Sequence, residues 1–196
     1  RPTMLRRLFA WTMGLAAHRH ARWALAVVSF AESSFFPVPP DVVLVTMVLA
    51  DRSRAWVLAT ICTVASVLGG LAGYAIGVLA FETLGHPILE FYGMVETYED
   101  FSATFNAWGW FIIFAAGLTP LPYKVFTITS GVTGLALPVF IAGSVISRGI
   151  RFFAEAALLR IFGEPIRAFI ERYMGALTIA FAVVLLGGFA LVRFVL

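Results

Sequence analysis

Five ionisable residues fall within long apolar stretches of this chain, where charged side chains are rare. They are Glu32, Asp41, Lys124, Arg148 and Arg151. An uncompensated charge at the centre of a membrane helix costs about 2.5–3.5 kcal/mol even on a lenient insertion scale. Such residues persist where they pair with each other, line water or bind a charged ligand, so these five are the first candidates for chemistry.

Two of these charges directly follow clusters of proline. Residues 37–41 have the sequence Pro-Val-Pro-Pro-Asp, and residues 120–124 have the sequence Pro-Leu-Pro-Tyr-Lys, at an offset of 83 residues. Prolines so closely spaced cannot lie inside one helix. Each cluster therefore predicts two half-helices that enter the membrane and return, with the charge at the start of the second half-helix.

The charges beside the proline clusters have both structural and functional interpretations. Asp41 suits the positive end of a helix dipole, although it could be a plain helix cap. Lys124 opposes the dipole and needs a counter-charge: Asp41, Glu32 or a bound anion. Inverted repeats bring broken-helix ends together, which predicts an Asp41–Lys124 pair. Glu32 could instead be protonated and bonded to Ser33 or Ser34.

Arg148 and Arg151 are three residues apart and share one face of a predicted helix. Glu155 continues this face, so an Arg151–Glu155 pair within the helix is the structural alternative; it leaves Arg148 unexplained. The planar fork of arginine suits a phosphate well. We therefore expect a phosphate group to bind Lys124, Arg148 and Arg151.

Small and polar residues elsewhere indicate packing more than chemistry. Gly69, Gly73 and Gly77 recur at four-residue intervals, which favours close packing of this helix against a hairpin. Tyr74 is a further candidate for the site. The scattered histidines and single cysteine predict no metal site and no cofactor: His18, His20, His86 and Cys62.

The composition indicates an integral membrane protein. The chain is 61% hydrophobic and 13% charged, with a mean hydropathy of +0.93, whereas soluble domains are roughly 25% charged. No basic–aromatic repeat suggests nucleic-acid binding. The basic residues cluster on one predicted side of the membrane, so the positive-inside rule predicts a cytoplasmic N-terminus.

The predicted architecture is an all-α membrane domain with an inverted repeat. Each repeat contains a re-entrant hairpin and a transmembrane helix. The segments are an interfacial amphipathic helix (1–22), repeat 1 (23–80, with its spanning helix at 55–80), an acidic extracytoplasmic segment (81–106), repeat 2 (107–163, with its spanning helix at 138–160), and an interfacial segment with the last transmembrane helix (164–196).

These motifs together resemble the DedA family of the SNARE-associated Golgi, or VTT-domain, superfamily. The resemblance covers about residues 25–160 and rests on Glu32 before Phe-Pro-Val-Pro-Pro-Asp (36–41), on Gly-Gly-x-x-Gly-Tyr-x-x-Gly (69–77), and on Thr-Pro-Leu-Pro-Tyr-Lys (119–124) with Gly131 and Gly134. Lys124 stands where many members have the later of two arginines, and no arginine occupies the earlier place.

The resemblance implies a bacterial inner-membrane protein that moves a phosphate-bearing lipid, such as undecaprenyl phosphate or a phospholipid. Glu32 and Asp41 match the functional acidic positions of the family and would gate the site by gaining and losing protons. Ser33, Ser34, Tyr74 and Tyr123 are further site candidates. An intramembrane polyprenyl-phosphate phosphatase and a proton-coupled exchanger of small ions or solutes are the alternatives, and the oligomeric state stays open.

Overall fold

The computed structural model describes residues 21–35, 40–119, 122–163 and 165. Within these residues the chain is helical almost throughout and contains no β-strand, which confirms the all-α prediction. The predicted interfacial helix (apart from residues 21 and 22), nearly all of the predicted segment 164–196, and Pro37, Pro39 and Pro120 lie outside the described residues.

The first proline cluster separates two short helices. Helix α1 comprises Ala21–Ser34, and α2 comprises Asp41–Ala50. Pro40 has no backbone N–H group to donate to a preceding helical turn. Its carbonyl accepts the first hydrogen bond of α2, from the amide of Leu44 at 2.9 Å. Asp41 is therefore the first residue of α2, as predicted.

A long helix follows a short polar turn. The Asp51 carboxylate accepts a hydrogen bond from the amide of Ser53 at 3.1 Å and fixes the 3₁₀ turn Arg52–Arg54. Helix α3 then comprises Ala55–Ala80, with the bounds that the sequence predicted. It continues through a π-helical turn, Phe81–Gly85, into α4, His86–Tyr92.

The acidic segment forms a largely exposed helix that leads into the second proline cluster. Helix α5 comprises Val95–Ala107, and α6 comprises Gly109–Leu118, with a bend of 70° between them at Trp108. The acidic segment is therefore helical over most of its length.

The chain then turns through the second cluster into the last two described helices. Helix α7 comprises Tyr123–Val132 and α8 comprises Leu137–Gly163. The backbone carbonyls at the end of α7 accept hydrogen bonds from Tyr98 at 2.6 Å and Asn106 at 2.8 Å on α5. These bonds satisfy carbonyls that have no partner within the helix.

The helices pack around two clusters of buried apolar side chains. The first combines the start of α1, the end of α2, the start of α3 and the second half of α8; its members include Leu25, Leu44, Val48, Cys62, Phe152 and Leu159. The second combines α5, α6, the start of α7 and the start of α8; its members include Phe105, Ile113, Tyr123, Leu135 and Phe140. The candidate site lies between these clusters.

Glycines on α3 bring its backbone into direct contact with α1 and α7. A Cβ atom added at Gly69 would overlap the carbonyl oxygen of Phe30 on α1, and one at Gly77 would overlap that of Ile128 on α7. Larger residues would force these helices apart. The prediction that the glycines serve close helix packing is confirmed.

Two helical stretches within the described residues are long and apolar enough to cross a membrane. They are Arg52–Tyr92 and Leu137–Gly163, and the bent pair α5–α6 would make a third if it formed one span. A bilayer core is crossed by about 20 apolar helical residues. These lengths fit an integral membrane protein.

Candidate functional site

Arg148 lies near the middle of α8 and connects the two proline-broken regions. Its side chain is only 2% exposed. Its Nη2 atom donates to Glu32 Oε2 at 2.8 Å and to Ser33 Oγ at 3.2 Å, both at the end of α1. The guanidinium carbon also lies 4.1 Å from the ring centroid of Tyr123, the first residue of α7. A cation over an aromatic face is attracted to it, so Arg148 holds the end of α1 beside the start of α7.

Arg151 makes a second connection one turn further along α8. Its Nη2 atom is 3.0 Å from each carboxylate oxygen of Asp41, at the start of α2. Its Nη1 atom donates to the carbonyl of Thr119, just before the second proline cluster, at 3.0 Å. The fixed fork of the guanidinium serves two acceptors at once. The two arginines share one helix face, as predicted, and that face meets both proline breaks.

Ser33 is the polar centre of the contact between α1, α3 and α8. Its hydroxyl is fully buried, donates to Glu32 Oε2 at 3.1 Å and lies 2.6 Å from Ser66 Oγ on α3. A hydroxyl donates one hydrogen and accepts two. Because the proton of Ser33 goes to Glu32, Ser66 and Arg148 must be the donors to Ser33, so all its bonding positions are in use. This arrangement argues against Ser33 as a free nucleophile.

Glu155 joins the Asp41–Arg151 pair. Its side chain is half-buried and lies near the Asp41 carboxylate and the Arg151 guanidinium. Two acids and one arginine therefore lie near one another at this point of α8.

Lys124 is the second residue of α7 and follows Tyr123 directly. Its side chain is half-buried. Within the residues that the structure describes, it has no ion pair and no side-chain hydrogen bond. Its backbone carbonyl accepts a bond at 2.9 Å from Thr127, whose hydroxyl is also 3.3 Å from the Ser33 carbonyl, which places the start of α7 against the end of α1.

The predicted Asp41–Lys124 pair is wrong, because Asp41 is bonded to Arg151 instead. Asp41 and Lys124 each lie at the start of a helix that follows a proline cluster, but only Asp41 is reached by Arg151 of α8. The guanidinium of Arg151 has enough donors to bind Asp41 and the Thr119 carbonyl together, whereas an ammonium is a single point charge. A plain capping role for Asp41 is not seen either, since its carboxylate is directed to α8.

Arg148 and Arg151, which we expected to bind phosphate, both have acidic partners in this structure. The Nε atom of Arg148 is a buried donor without an acceptor among the described residues. Buried donors are normally satisfied. The phosphate-binding role of the two arginines stays a prediction. Of the three predicted phosphate-binding residues, Lys124 is the one that has no acidic partner among the described residues.

The remaining candidates make structural contacts. The Tyr74 hydroxyl donates to the Leu135 carbonyl at 2.8 Å, beyond the end of α7 and away from the two breaks. Tyr123 donates to Ser144 Oγ on α8. The Ser34 hydroxyl lies 2.7 Å from the Phe30 carbonyl and 3.0 Å from the Gly69 carbonyl. No group of three or more metal-binding side chains occurs within the described residues.

Sequence reasoning missed the partner of each acid and the aromatic contact of Arg148. The three-residue spacing of Arg148 and Arg151 and the further four-residue spacing to Glu155 carried part of this information, because they place all three residues on one helix face. The partners on α1 and α2 are 116 and 110 residues away, and no local pattern specifies which of them each arginine meets.

Comparison with known proteins places the chain among bacterial relatives. It is 37% identical over 161 residues to an uncharacterized protein of Haemophilus influenzae, covering 82% of this chain and 83% of that protein. It is 35% identical over 161 residues to an uncharacterized protein of Histophilus somni, covering 82% of this chain and 84% of the relative. The chain belongs to the family of these two proteins. No family model matches it, and no solved structure matches it.

Proposed function

We propose that this protein moves a phosphate-bearing lipid across a bacterial inner membrane, with its headgroup at the meeting point of the two proline breaks. The observation that carries this proposal is Lys124, a half-buried cation without an acidic partner among the described residues. It directly follows Tyr123, whose ring packs against the guanidinium of Arg148. An unbalanced cation in an apolar setting favours an anionic ligand.

The proposal includes two re-entrant hairpins, α1–α2 and α6–α7. These helices have 14, 10, 10 and 10 residues, which corresponds to about 21 and 15 Å of helix. A hydrocarbon core is about 30 Å thick, so each is too short to cross it alone. The start of α1 and the end of α2 share one apolar cluster, which is the arrangement expected of a chain that turns back.

An inverted repeat is the second element of the proposal. A shift of 83 residues moves the first residue of α2, Asp41, onto Lys124, the second residue of α7. The same shift moves the bounds of α3, 55–80, onto 138–163, within one residue of α8. Two successive units of the same design, each with one crossing, would run in opposite directions through the membrane, as in many transporters. This organisation supports membership of a DedA-like group.

The acids would gate the headgroup site. Glu32 and Asp41 each neutralise one arginine in this structure. Protonation of either carboxylate would remove its attraction for the guanidinium and leave that arginine able to bind the phosphate beside Lys124. Arginine binds phosphate through two parallel hydrogen bonds. Lipid transport would in this way be coupled to protons.

A proteoliposome assay tests the function. We would reconstitute the purified protein in vesicles that contain a fluorescent phosphatidylglycerol and measure its transfer between leaflets by dithionite quenching. Loss of a charge-assisted hydrogen bond costs about 1.5–3 kcal/mol, so we expect Lys124→Ala to slow transfer by about tenfold to a hundredfold. Lys124→Arg should retain most of the rate. Arg54→Ala, which removes an exposed cation away from the site, is the matched control.

Two outcomes would reject lipid transport: no transfer by the wild-type protein, or transfer that Lys124→Ala leaves unchanged. Phosphate release from a polyprenyl diphosphate would instead support the phosphatase alternative. Proton movement that proceeds at the same rate without a phosphate-bearing lipid would support the exchanger.

A further inference from the structure

We propose that the bend between α5 and α6 is a docking site for a zwitterionic phospholipid with an ammonium headgroup, of the phosphatidylethanolamine type. One acyl chain would lie in an apolar cavity at the bend, and the ammonium group would lie beside the acids of α5. This lipid is not the transported one. The bend at Trp108 and the second proline break after Leu118 lie at opposite ends of α6, a helix of about 15 Å.

The cavity lies where α5 and α6 meet at an angle of 70° and has a volume of about 420 Å³. Binding pockets for small molecules are typically apolar and measure about 300–1,000 Å³. Side chains of α6, among them Phe111 and Ala115, form one wall. The other wall consists of residues three or four positions apart, which lie on one helix face: Phe101, Thr104, Phe105 and Trp108. This lining suits a hydrocarbon chain.

The two helices that form the cavity differ in their preference for water. Helix α5 carries Glu96, Glu99 and Asp100, whereas α6 has no charged residue. Carboxylates are costly in hydrocarbon, so we infer that α5 lies on the water side and that α6 enters the membrane. Trp108 and Trp110 at the bend agree with this placement, because tryptophan is enriched at membrane–water boundaries. The cavity therefore lies at the depth where acyl chains meet headgroups.

The charge around the cavity favours a headgroup with a positive group. Residues 81–106 include acids but no lysine or arginine. Asp100 is four residues before Thr104, and Glu96 is four residues before Asp100, a spacing at which side chains on a helix surface meet. Both acids are exposed and form no ion pair within the described residues. An ammonium group would compensate this charge, whereas a headgroup with net negative charge would be repelled.

Photo-crosslinking of the full-length protein tests the site. We would reconstitute the protein in vesicles with equal amounts of phosphatidylethanolamine and phosphatidylglycerol. A trace of one of the two lipids would carry a diazirine on its acyl chain. Mass spectrometry after chymotryptic digestion would measure labelling of residues 101–115, normalised to labelling around Ile146 and Ile150, which are exposed on α8 and report ordinary contact with bulk lipid.

We expect enriched labelling at the bend and a preference between the lipids. In the wild-type protein, phosphatidylethanolamine should label residues 101–115 about twofold to fivefold more than phosphatidylglycerol does, which is the range for one exposed ion pair. Exchange of both acids, Glu96→Gln with Asp100→Asn, should bring this ratio close to one and keep the labelling. Asp51→Asn, which alters an acid at the turn before the other end of α3, is the matched control and should keep the ratio.

A second pair of variants tests the cavity itself. Ala115→Phe fills the cavity from an exposed position and should reduce labelling of residues 101–115 to the level of α8. Thr104→Phe fills it from α5 and decides the question if Ala115→Phe does not fold. Ala103→Phe is the matched control, because Ala103 is exposed on α5 and does not line the cavity; labelling should persist.

The docking site is refuted if the two lipids label the wild-type bend equally, if the preference survives the loss of both acids, or if filling the cavity leaves the labelling unchanged. Lys124→Ala separates this site from the proposed transport site. It should slow lipid transfer and leave labelling of the bend unchanged, and a loss of labelling would show that the bound lipid is the transported one. A wild-type protein that transfers no lipid but shows the labelling preference would refute the proposed function alone.

Discussion

The buried pair of Glu32 and Arg148 provides the sharpest test of how this fold is held together. Arg148 is 2% exposed and Glu32 18% exposed, at 2.8 Å from each other. Removal of one partner of a buried ion pair leaves an uncompensated charge and costs about 3–5 kcal/mol, whereas replacement of both partners by apolar groups is often nearly neutral. Glu32→Ala alone should therefore destabilise the protein by about 3–5 kcal/mol.

The second substitution should relieve much of this loss. Arg148→Met keeps the volume of the aliphatic stem and removes the buried charge. In the double variant neither charge of the pair remains; in the single variant Arg148→Met, Glu32 is able to take up a proton. We expect the double variant to be more stable than Glu32→Ala, with a coupling energy of at least about 2 kcal/mol in the double-mutant cycle. The free energy of unfolding would be measured by titration with sodium dodecyl sulfate in mixed micelles, followed by tryptophan fluorescence.

The pair formed by Asp51 and Arg54 is the control. Its N–O distance, 2.7 Å, is as short as that of the buried pair, but its side chains are 42% and 57% exposed. Exposed pairs contribute little because water screens them, so this cycle should give no measurable coupling. Equal coupling energies in the two cycles would refute the reasoning that burial makes the Glu32–Arg148 pair important.

Three further predictions follow from single contacts. Gly131→Ala should destabilise the protein by about 1–3 kcal/mol, because the added Cβ would overlap the Tyr74 carbonyl, whereas Gly70→Ala meets only side chains at 3.4 Å and should cost less. Tyr74→Phe should cost about 1 kcal/mol through loss of its 2.8 Å hydrogen bond, with exposed Tyr92→Phe neutral. Arg151→Lys should destabilise the protein although it keeps the charge, because one ammonium cannot reproduce the two-sided contact of the guanidinium. All three are measured by the same unfolding titration.

Each of these predictions has a clear contradiction. Similar losses for the two glycine substitutions would mean that the backbone contact between α3 and α7 is not tight. Equal stability of the two tyrosine variants would show that the hydrogen bond of Tyr74 to the Leu135 carbonyl does not stabilise the protein. A lysine at position 151 that supports wild-type stability would show that charge alone, without fork geometry, holds the two breaks.

The elements of this fold were predictable because their signals are local. Prolines end helices wherever they cluster, whereas a helix continues through an uninterrupted apolar run. The bounds of α3 at residues 55 and 80 therefore follow from the charged residue Arg54 before it and from the start of the acidic segment at Glu82. The four-residue spacing of glycines likewise identifies the packed face of α3.

The partners in the site were not predictable because they depend on how distant helices are placed. The sequence indicates that Asp41 needs a cation, and Lys124 was the symmetrical choice. The observed partner of Asp41 is Arg151. This pairing depends on the position at which α8 passes the two proline breaks and on the length of the arginine side chain. The approach of Glu155 to Asp41 depends on the same placement.

The cations that bind Glu32 and Asp41 both lie on α8, and this has a consequence for biogenesis. When α1 and α2 leave the ribosome, the arginines that bind Glu32 and Asp41 are not yet made; they follow 116 and 110 residues later. If α1 and α2 re-enter the membrane as proposed, these acids must stay protonated or remain at the water interface until α8 is made, because an uncompensated carboxylate in hydrocarbon is costly. The segment formed by α1 and α2 would then reach its final position only after α8 has been synthesised.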